Sequence, residues 1–268
     1  MPAPMPPLNG VEHTFHELPT GVRVHVAAIG PRGAPAVLAL HGWPQHWWVW
    51  RDVMRALERE FRVIAPDMRG FGWSGWPADG DFRKQRVADD ALALLDALGL
   101  ERVRLAGHDW GGWAAILAAL TAPERFSSLT LMGIGHPWIP QTVAARNAYR
   151  LAYMLPLSTI APPGLPRTIL RAARRDGVGW TDAELDTYLG VLRGDATRRL
   201  YRSFLTRELT SRHGRLTIPA RLLLGRREPL GHYLAASFPG EVEIVEGVGH
   251  FVPEEAPALV AERIRAAD

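Results

Sequence analysis

The sequence predicts an α/β fold in which a mostly parallel sheet carries helices on both faces and contains a helical insertion. Short apolar runs alternate with helix-like segments through the first half of the chain, as strands joined by helical crossovers do. This alternation stops near residue 136, and strand-like runs return only after residue 214. The length of 268 residues and the hydrophobic content of 47% allow a large buried core.

The strands are predicted from short apolar runs that end in turn residues. Residues 21–29 alternate valine with other residues and predict a strand with one apolar face. Residues 36–40 are continuously apolar, as expected for a strand buried on both faces. Further strands are predicted at 61–65, 103–106, 128–132, 220–224 and 241–245. Helices are predicted from apolar residues at helical spacing or from continuously apolar segments, at 50–58, 87–98, 111–120 and 255–267.

The break in this pattern predicts the domain organisation. Residues 136–214 contain helical pieces, several prolines and most of the tyrosines, and they contain no strand-like run bounded by turns. An insertion of about eighty residues is long enough to form a small subdomain of its own. We therefore expect a core domain from 1–135 and 215–268, with a helical cap from 136–214.

Composition excludes several classes of function. The chain has no cysteine, so disulfides, cysteine nucleophiles and cysteine metal sites are excluded. Although the pI is about 9.7, the net charge is only +3 and arginines are interspersed with acids, so we expect no nucleic-acid partner. No secretory signal, membrane-length apolar run or metal-ligand spacing is visible, which predicts a cytoplasmic protein without metal or membrane association. A monomer or a homodimer fits equally well.

The segment G-H-D-W-G-G at 107–112 lies between an apolar strand and an apolar helix and predicts a catalytic turn. Small residues on both sides of the central Asp109 allow the sharp strand-to-helix turn of a nucleophile elbow. A carboxylate there would attack an electrophilic carbon and form an ester with the enzyme. Alone, this aspartate could equally cap the following helix.

A second turn, H-G-W-P at 41–44, follows the strand at 36–40. It would bring the backbone N–H of Trp43 beside Asp109, and together with the backbone N–H of Trp110 it predicts an oxyanion hole. His41 flanks the same site, and we expect His41 and Trp110 among the residues that bind substrate.

The general base is predicted in G-V-G-H at 247–250, because His250 lies late in the chain on a glycine-rich loop, after the last strand. His41 and His108, which flank the predicted site, are the rival candidates. The order of nucleophile, acid and histidine along the chain then favours Glu228 in G-R-R-E-P at 225–229 as the acid that orients His250. A surface glutamate paired with Arg226 or Arg227 is the alternative interpretation of this position.

Together these segments resemble the α/β-hydrolase superfamily, and within it the branch of epoxide hydrolases and haloalkane dehalogenases. The resemblance includes H-G-W-P-Q at 41–45, D-M-R-G-F-G-W-S at 67–74, A-G-H-D-W-G-G at 106–112 and G-V-G-H-F-V-P-E at 247–254. Epoxide hydrolases use two cap tyrosines as proton donors, and the resemblance places them at Tyr153 and Tyr201. At the acid position the family usually has aspartate, where this chain has Glu228.

The resemblance implies a cofactor-independent epoxide hydrolase that converts an apolar epoxide to a vicinal diol through an ester on Asp109. A haloalkane dehalogenase would use the same nucleophile and would hold the departing halide with indole N–H groups, for which Trp110, Trp138 and Trp180 are candidates. Trp138 is also expected to contact substrate. A catalytically silent hydrolase fold that binds ligands is the third possibility.

Overall fold

The structure is a computed structural model that describes residues 4–160, 162, 164–209 and 213–267. These residues form a sheet of strands β1 (Glu12–Leu18), β2 (Val22–Ile29), β3 (Ala36–Leu40), β4 (Arg62–Pro66), β5 (Val103–His108), β6 (Phe126–Met132), β7 (Ala220–Gly225) and β8 (Glu241–Val245). Their order across the sheet is β1-β2-β4-β3-β5-β6-β7-β8. Strand β2 pairs antiparallel with β1 and β4, and the other neighbours are parallel. The prediction of a mostly parallel sheet is confirmed.

The α-helices of the described residues are α1 (Arg51–Leu57), α2 (Lys84–Ala97), α3 (Asp109–Thr121), α4 (Gln141–Asn147), α5 (Met154–Ser158), α6 (Leu165–Ala173), α7 (Asp182–Leu189), α8 (Gly194–Ser203), α9 (Val252–Glu255) and α10 (Pro257–Arg265). Helices α2 and α3 cover one face of the sheet, and α1 and α10 cover the other. A π-helical turn, Phe204–Glu208, extends α8. None of the helices traced over the described ranges is long and apolar enough to cross a membrane.

The central strands are apolar throughout because both of their faces are covered. In β3, Leu38 and Leu40 pack on the side of α2 and α3, and Val37 and Ala39 pack on the side of α1 and α10. All five residues of this strand are buried. Strand β3 lies in the middle of the sheet, so the turn at its carboxyl end reaches the centre of the molecule.

Two elements of the structure differ from the prediction. Strand β1 was not predicted, because it is an edge strand with mostly exposed side chains and shows little apolar alternation. The helix predicted at 255–267 is α10, which begins at Pro257 and ends at Arg265. Ala256, whose φ of −143° and ψ of 53° are not helical, separates it from the short helix α9. Pro257 explains the break, since the residue before proline is disfavoured in the helical conformation.

Helices α4 to α8 all lie between β6 and β7 and form the inserted helical region. The chain therefore leaves the sheet at Met132 and re-enters it at Ala220. The domain boundaries at 136 and 214 remain predictions, but the helices lie within the segment they enclose.

A buried ion pair connects this insertion to the core. Lys84, at the start of α2, is fully buried, and its ammonium donates to Oε2 of Glu208 at 3.0 Å and to Oγ of Ser203 at 3.2 Å. The backbone N–H of Lys84 also donates to Oε1 of Glu208 at 2.6 Å. The ammonium nitrogen lies 4.5 Å from the centre of a Trp110 ring, on its face. The only lysine of the sequence thus joins α2 to the π-helical turn of the cap.

A second buried cluster joins the cap to the segment after His250. Glu254 in α9 accepts a hydrogen bond from the hydroxyl of Tyr188 in α7 at 2.8 Å and from Nε2 of Gln45 at 2.7 Å. Its carboxylate also pairs with Arg51 at the start of α1. Burial raises the pKa of Glu254 to about 7, although Arg51 opposes this rise. The cap is therefore held to the core by buried charged groups at two separate points.

We expect Lys84→Met to destabilise the fold strongly. The substitution leaves the Glu208 carboxylate buried without its counter-charge, which typically costs about 3–5 kcal/mol. Urea unfolding followed by circular dichroism measures this change in the free energy of unfolding. In Lys84→Met/Glu208→Leu, where both charges are removed, most of the loss should be recovered.

The matched control for this prediction is an exposed ion pair between Arg226 and Glu246, whose nitrogen and oxygen are 2.7 Å apart. Glu246→Gln is expected to change the free energy of unfolding far less than Lys84→Met does, because exposed pairs are screened by water. Equal effects of Lys84→Met and Glu246→Gln would contradict a stabilising role for the buried pair.

Candidate active site

Asp109 occupies the apex of the turn between β5 and α3. Its φ is 48°, in the left-handed region that residues other than glycine rarely adopt. The side chain is 6% exposed, at the first turn of α3, where the helix dipole favours a negative charge. The turn therefore holds a carboxylate over the carboxyl edge of the sheet, as predicted.

Glycines on both sides of Asp109 make this turn possible. A Cβ atom at Gly111 would lie 2.3 Å from the carbonyl oxygen of His41, and a Cβ atom at Gly107 would lie 2.7 Å from Cα of Gly112. Such distances are too short for any side chain. The pattern of small residues around the aspartate therefore has a steric cause in the close packing of β3, β5 and α3.

Two backbone N–H groups face the Asp109 carboxylate. The N–H of Trp43 donates to Oδ2 of Asp109 at 2.8 Å, and the N–H of Trp110 interacts with the same carboxylate. Burial raises the pKa of Asp109, whereas the positive charge of His250 and these two N–H groups lower it. A Cβ atom at Gly42 would lie 2.4 Å from Cβ of Asp109, so only glycine allows the 41–44 turn to approach this closely.

His250 and Glu228 form a buried pair beside Asp109. Nδ1 of His250 lies 3.0 Å from Oε2 and 3.3 Å from Oε1 of Glu228. The side chain of Glu228 is fully buried, so its carboxylate is directed at the histidine rather than at Arg226 or Arg227 on the surface. With Nδ1 held by Glu228, Nε2 is the ring nitrogen left for a reacting water.

Gly133 and His108 lie close to the backbone of His250 and position it. The Gly133 backbone has a φ of 56°, and a Cβ atom there would lie 2.7 Å from the carbonyl oxygen of His250 and 3.2 Å from its Nδ1. His108 is buried and its Nε2 lies 3.0 Å from the same carbonyl oxygen. Burial keeps the pKa of His108 well below its ordinary value, so this ring is neutral and donates through Nε2. The histidine loop is therefore fixed by contacts on both sides.

Tyr153 and Tyr201 extend from the cap toward Asp109. Their ring centres are 6.1 Å apart at an interplanar angle of 79°. Tyr201 is 1% exposed and packs edge-on against Trp110 and Trp43, with ring centres 5.4 Å and 5.3 Å away. Burial raises the pKa of both phenols well above the ordinary value, and the nearby Asp109 charge acts in the same direction. Both phenols therefore stay protonated and can donate a hydrogen bond.

A cavity of about 370 Å³ opens between the sheet and the cap and reaches Asp109. Trp110, Trp113, Phe204 and Tyr153 surround its inner end. Most of its wall is apolar, and such a volume accommodates a small organic molecule. Across the described ranges no group of three or more histidine or acidic side chains is arranged to hold a metal ion.

The sequence and the fold of this chain are similar to those of known proteins. A family model of the α/β hydrolase fold matches residues 35–153. A soluble epoxide hydrolase from Corynebacterium sp. (strain C12) is 31% identical over 282 residues, which cover 94% of this chain and 96% of that protein. This chain belongs to the epoxide hydrolase family.

Two further proteins are similar to this chain. Epoxide hydrolase 4 from Mus musculus is 40% identical over 119 residues, but the match covers only 44% of this chain and 33% of that protein. The crystal structure of Cfl2 from Burkholderia cenocepacia superimposes with a TM-score of 0.79 at 29% identity, covering 96% of this chain and 95% of that one. The fold similarity to Cfl2 therefore extends over nearly the whole chain, as does the sequence similarity to the Corynebacterium enzyme.

Two of the residues expected to contact substrate, His41 and Trp138, do not line the cavity. His41 is fully buried, and both of its ring nitrogens bond to backbone, Nδ1 to the carbonyl of Gly42 and Nε2 to the N–H of Met68, each at 2.8 Å. Trp138 lies outside the cavity wall, where its Nε1 donates to the carbonyl of Gly214 at 2.7 Å. Both side chains therefore bond to loop backbone and lie outside the wall of the cavity.

The sequence analysis did not predict several residues that line the cavity of this epoxide hydrolase family protein. Trp113 lies one helical turn after Trp110 on α3, and Phe204 lies three residues after Tyr201 at the end of α8. Helical spacing from the predicted site residues could have identified both. Tyr233 also lines the cavity, but it lies on an irregular loop where no periodicity indicates its direction.

Proposed function

We propose that the protein hydrolyses epoxides to vicinal diols through a covalent ester on Asp109. The observation that carries this proposal is the position of two buried, protonated phenols facing a carboxylate that is itself held by two backbone N–H groups. An epoxide needs a nucleophile at carbon and a proton donor at oxygen, on opposite sides of one bond. The site has both.

In the first step, an oxygen of the Asp109 carboxylate attacks a ring carbon of the epoxide. The bond between that carbon and the ring oxygen breaks, and its electron pair moves to the oxygen. Tyr153 or Tyr201 donates a proton to this oxygen, so that a neutral hydroxyl is formed. The product of the step is a hydroxyalkyl ester of Asp109.

In the second step, water attacks the carboxyl carbon of the ester. His250 takes a proton from the water, and Glu228 stabilises the resulting imidazolium. The N–H groups of Trp43 and Trp110 stabilise the negative oxygen of the tetrahedral intermediate. In the collapse of the intermediate, the bond from the carboxyl carbon to the alkoxide breaks, and the alkoxide takes the proton of His250 and leaves as the diol. The second oxygen of the diol comes from Asp109, and the solvent oxygen stays in its carboxyl group. The proton of this carboxyl group returns through solvent to the tyrosine phenolate formed in the first step.

This oxygen transfer provides the test of the proposed reaction. With enzyme in excess over a terminal aryl or alkyl epoxide in water labelled with heavy oxygen, the diol of the first turnover should carry no label. Over many turnovers the diol should become labelled, because Asp109 then contains solvent oxygen. A labelled diol in the first turnover would show direct attack of water on the ring, and would overturn the ester mechanism.

A haloalkane dehalogenase is the second candidate, and one observation favours it. Nε1 of Trp110 is buried beside the site, where the hydroxyl of Tyr201 is its neighbour, and it could donate to a halide instead. A halide site needs a second N–H donor, but three other indole N–H groups already donate elsewhere. That of Trp43 donates to Thr197, that of Trp138 to Gly214 and that of Trp180 to Leu170. We therefore expect diol formation from epoxides and no bromide release from bromoalkanes of equal length.

The pH dependence follows from the charges around His250. Burial lowers the pKa of His250, but Glu228 and Asp109 outweigh it and raise the pKa to about 9. His250 is therefore charged in the resting enzyme at neutral pH and becomes a base only as the pH rises through that value. Once Asp109 is an ester, its negative charge is lost and the pKa of His250 falls. Hydrolysis of the ester should thus have its pH midpoint below that of His250 in the free enzyme.

Two measurements check this difference. Nuclear magnetic resonance of the His250 ring gives the pKa in the free enzyme, and the single-turnover rate of ester hydrolysis gives the midpoint in the intermediate. In Glu228→Gln, the pKa of His250 in the free enzyme and the pH midpoint of ester hydrolysis should both be lower than in the wild type. The reason is that Glu228 has the largest of the effects that raise the pKa of His250. Equal midpoints in free enzyme and ester would contradict the coupling to Asp109.

A further inference from the structure

Among the described residues, the lining of the cavity is exposed to solvent at one side. Asp109 and Trp110 lie at its buried inner end, and Gln141, Ala144 and Leu209 are the lining residues that are exposed to solvent. The mouth therefore lies between α4 and the end of the π-helical turn. A substituent on one epoxide carbon has a path from Asp109 to this mouth.

Trp43, whose backbone N–H contacts Asp109, does not line this cavity, and neither do the buried side chains of Leu157, Thr197 and Tyr201. We call these four side chains the partition. The backbone of Trp43 contacts Asp109, and its indole extends away from it, where Nε1 donates to Oγ1 of Thr197 at 2.9 Å. Tyr201 meets the indole edge-on, with ring centres 5.3 Å apart. All four residues are at most 3% exposed.

A separate groove of about 590 Å³ lies beyond the partition on the outer surface of the cap. Leu157 and Thr197 line it, together with the exposed Ile160 and the partly buried Leu192. Thr197 therefore borders the outer groove and also accepts a hydrogen bond from the indole of Trp43. This bond joins the core to the cap within the partition.

From this geometry we infer that the enzyme is specific for terminal epoxides, those with a substituent on only one of the two ring carbons. This inference rests on the proposed function. When the ring oxygen faces Tyr153 and Tyr201 and a ring carbon faces Asp109, one carbon points to the mouth and the other points to the partition. A hydrogen atom fits at the second carbon, but an alkyl chain would collide with the indole of Trp43.

The test compares two isomers of equal size and polarity, the terminal epoxide of octene and the internal trans epoxide with a propyl chain on each carbon. We expect kcat/KM for the terminal isomer to exceed that for the internal isomer at least about 100-fold in the wild type, since each misplaced methylene in a fixed pocket costs about tenfold or more. Values within about threefold of each other would overturn the inference while leaving the proposed reaction intact. Turnover of neither isomer, by protein with a cooperative unfolding transition, would overturn the proposed function itself.

A matched pair of substitutions locates the cause of the specificity. Leu157→Ala thins the partition, whereas Leu151→Ala removes the same number of atoms from the wall of the open cavity. Leu157→Ala should lower the ratio of kcat/KM for the terminal isomer to kcat/KM for the internal isomer at least about tenfold. Leu151→Ala should not lower this ratio. Trp43→Ala, which keeps the backbone N–H, provides a second variant should Leu157→Ala fold poorly. A preference unchanged in both Leu157→Ala and Trp43→Ala would show that the partition does not set it.

Discussion

Asp109→Asn is expected to abolish epoxide hydrolysis, with a fall in kcat of at least about ten-thousand-fold. An amide oxygen is too weak a nucleophile to open the ring, and removal of a catalytic nucleophile commonly has an effect of this size or larger. The substitution is nearly isosteric, so the hydrogen bond from the N–H of Trp43 to the side chain should persist. Initial rates of diol formation measure the change.

The stability of this variant distinguishes a nucleophile from a helix cap. A charged and buried nucleophile destabilises the fold, so Asp109→Asn should leave the free energy of unfolding unchanged or raise it. If Asp109 only capped α3, asparagine would replace it well, and activity would be retained. A variant that hydrolyses epoxides within about tenfold of the wild type would exclude Asp109 as the nucleophile.

His250→Gln should form the ester and fail to hydrolyse it. The nucleophile and the two phenols are intact in this variant, whereas the group that activates water is missing. Loss of a general base typically slows a step about a hundred- to ten-thousand-fold, which is enough for the intermediate to accumulate. Intact-protein mass spectrometry after incubation with a terminal epoxide should show a species heavier by the mass of the whole epoxide.

Two controls accompany this experiment. Asp109→Asn/His250→Gln should show no added mass, because the oxygen that forms the ester is absent. His16→Gln, a histidine on edge strand β1 away from the site, should turn over normally and show no accumulated ester. An adduct seen only with bromoalkanes, lighter than the reagent by its halogen, would instead indicate a dehalogenase.

The central features of the site could be predicted from sequence because short-range sterics determine them. Gly111 is required by the close approach of β3, and Gly107 by the close approach of the first turn of α3, so the two glycines identify Asp109 without any knowledge of distant contacts. His250 and Glu228 follow strands directly, and strand ends in a parallel sheet meet at one edge. These positions depend on local geometry and on the order of the strands.

The features that were missed or wrong depend on tertiary contacts. Whether the ring of His41 faces the cavity is decided by the N–H of Met68, which belongs to a different loop. Trp138 is turned away from the cavity by the carbonyl of Gly214, at the other end of the insertion. The pairing of Lys84 with Glu208 joins residues 124 positions apart, and nothing near either residue indicates the other.

The two buried charged clusters also determine how far the cap can be exchanged between related proteins. A chimera that replaces the insertion between β6 and β7 with a foreign cap would lose Tyr188 and Glu208 at once. The recipient core would then retain Lys84 without its carboxylate partner and Glu254 without its phenol donor. A transplanted cap must therefore bring both of these groups, or the core must first be neutralised at Lys84 and Glu254. The cap of this protein therefore cannot be exchanged without changing buried residues of the core.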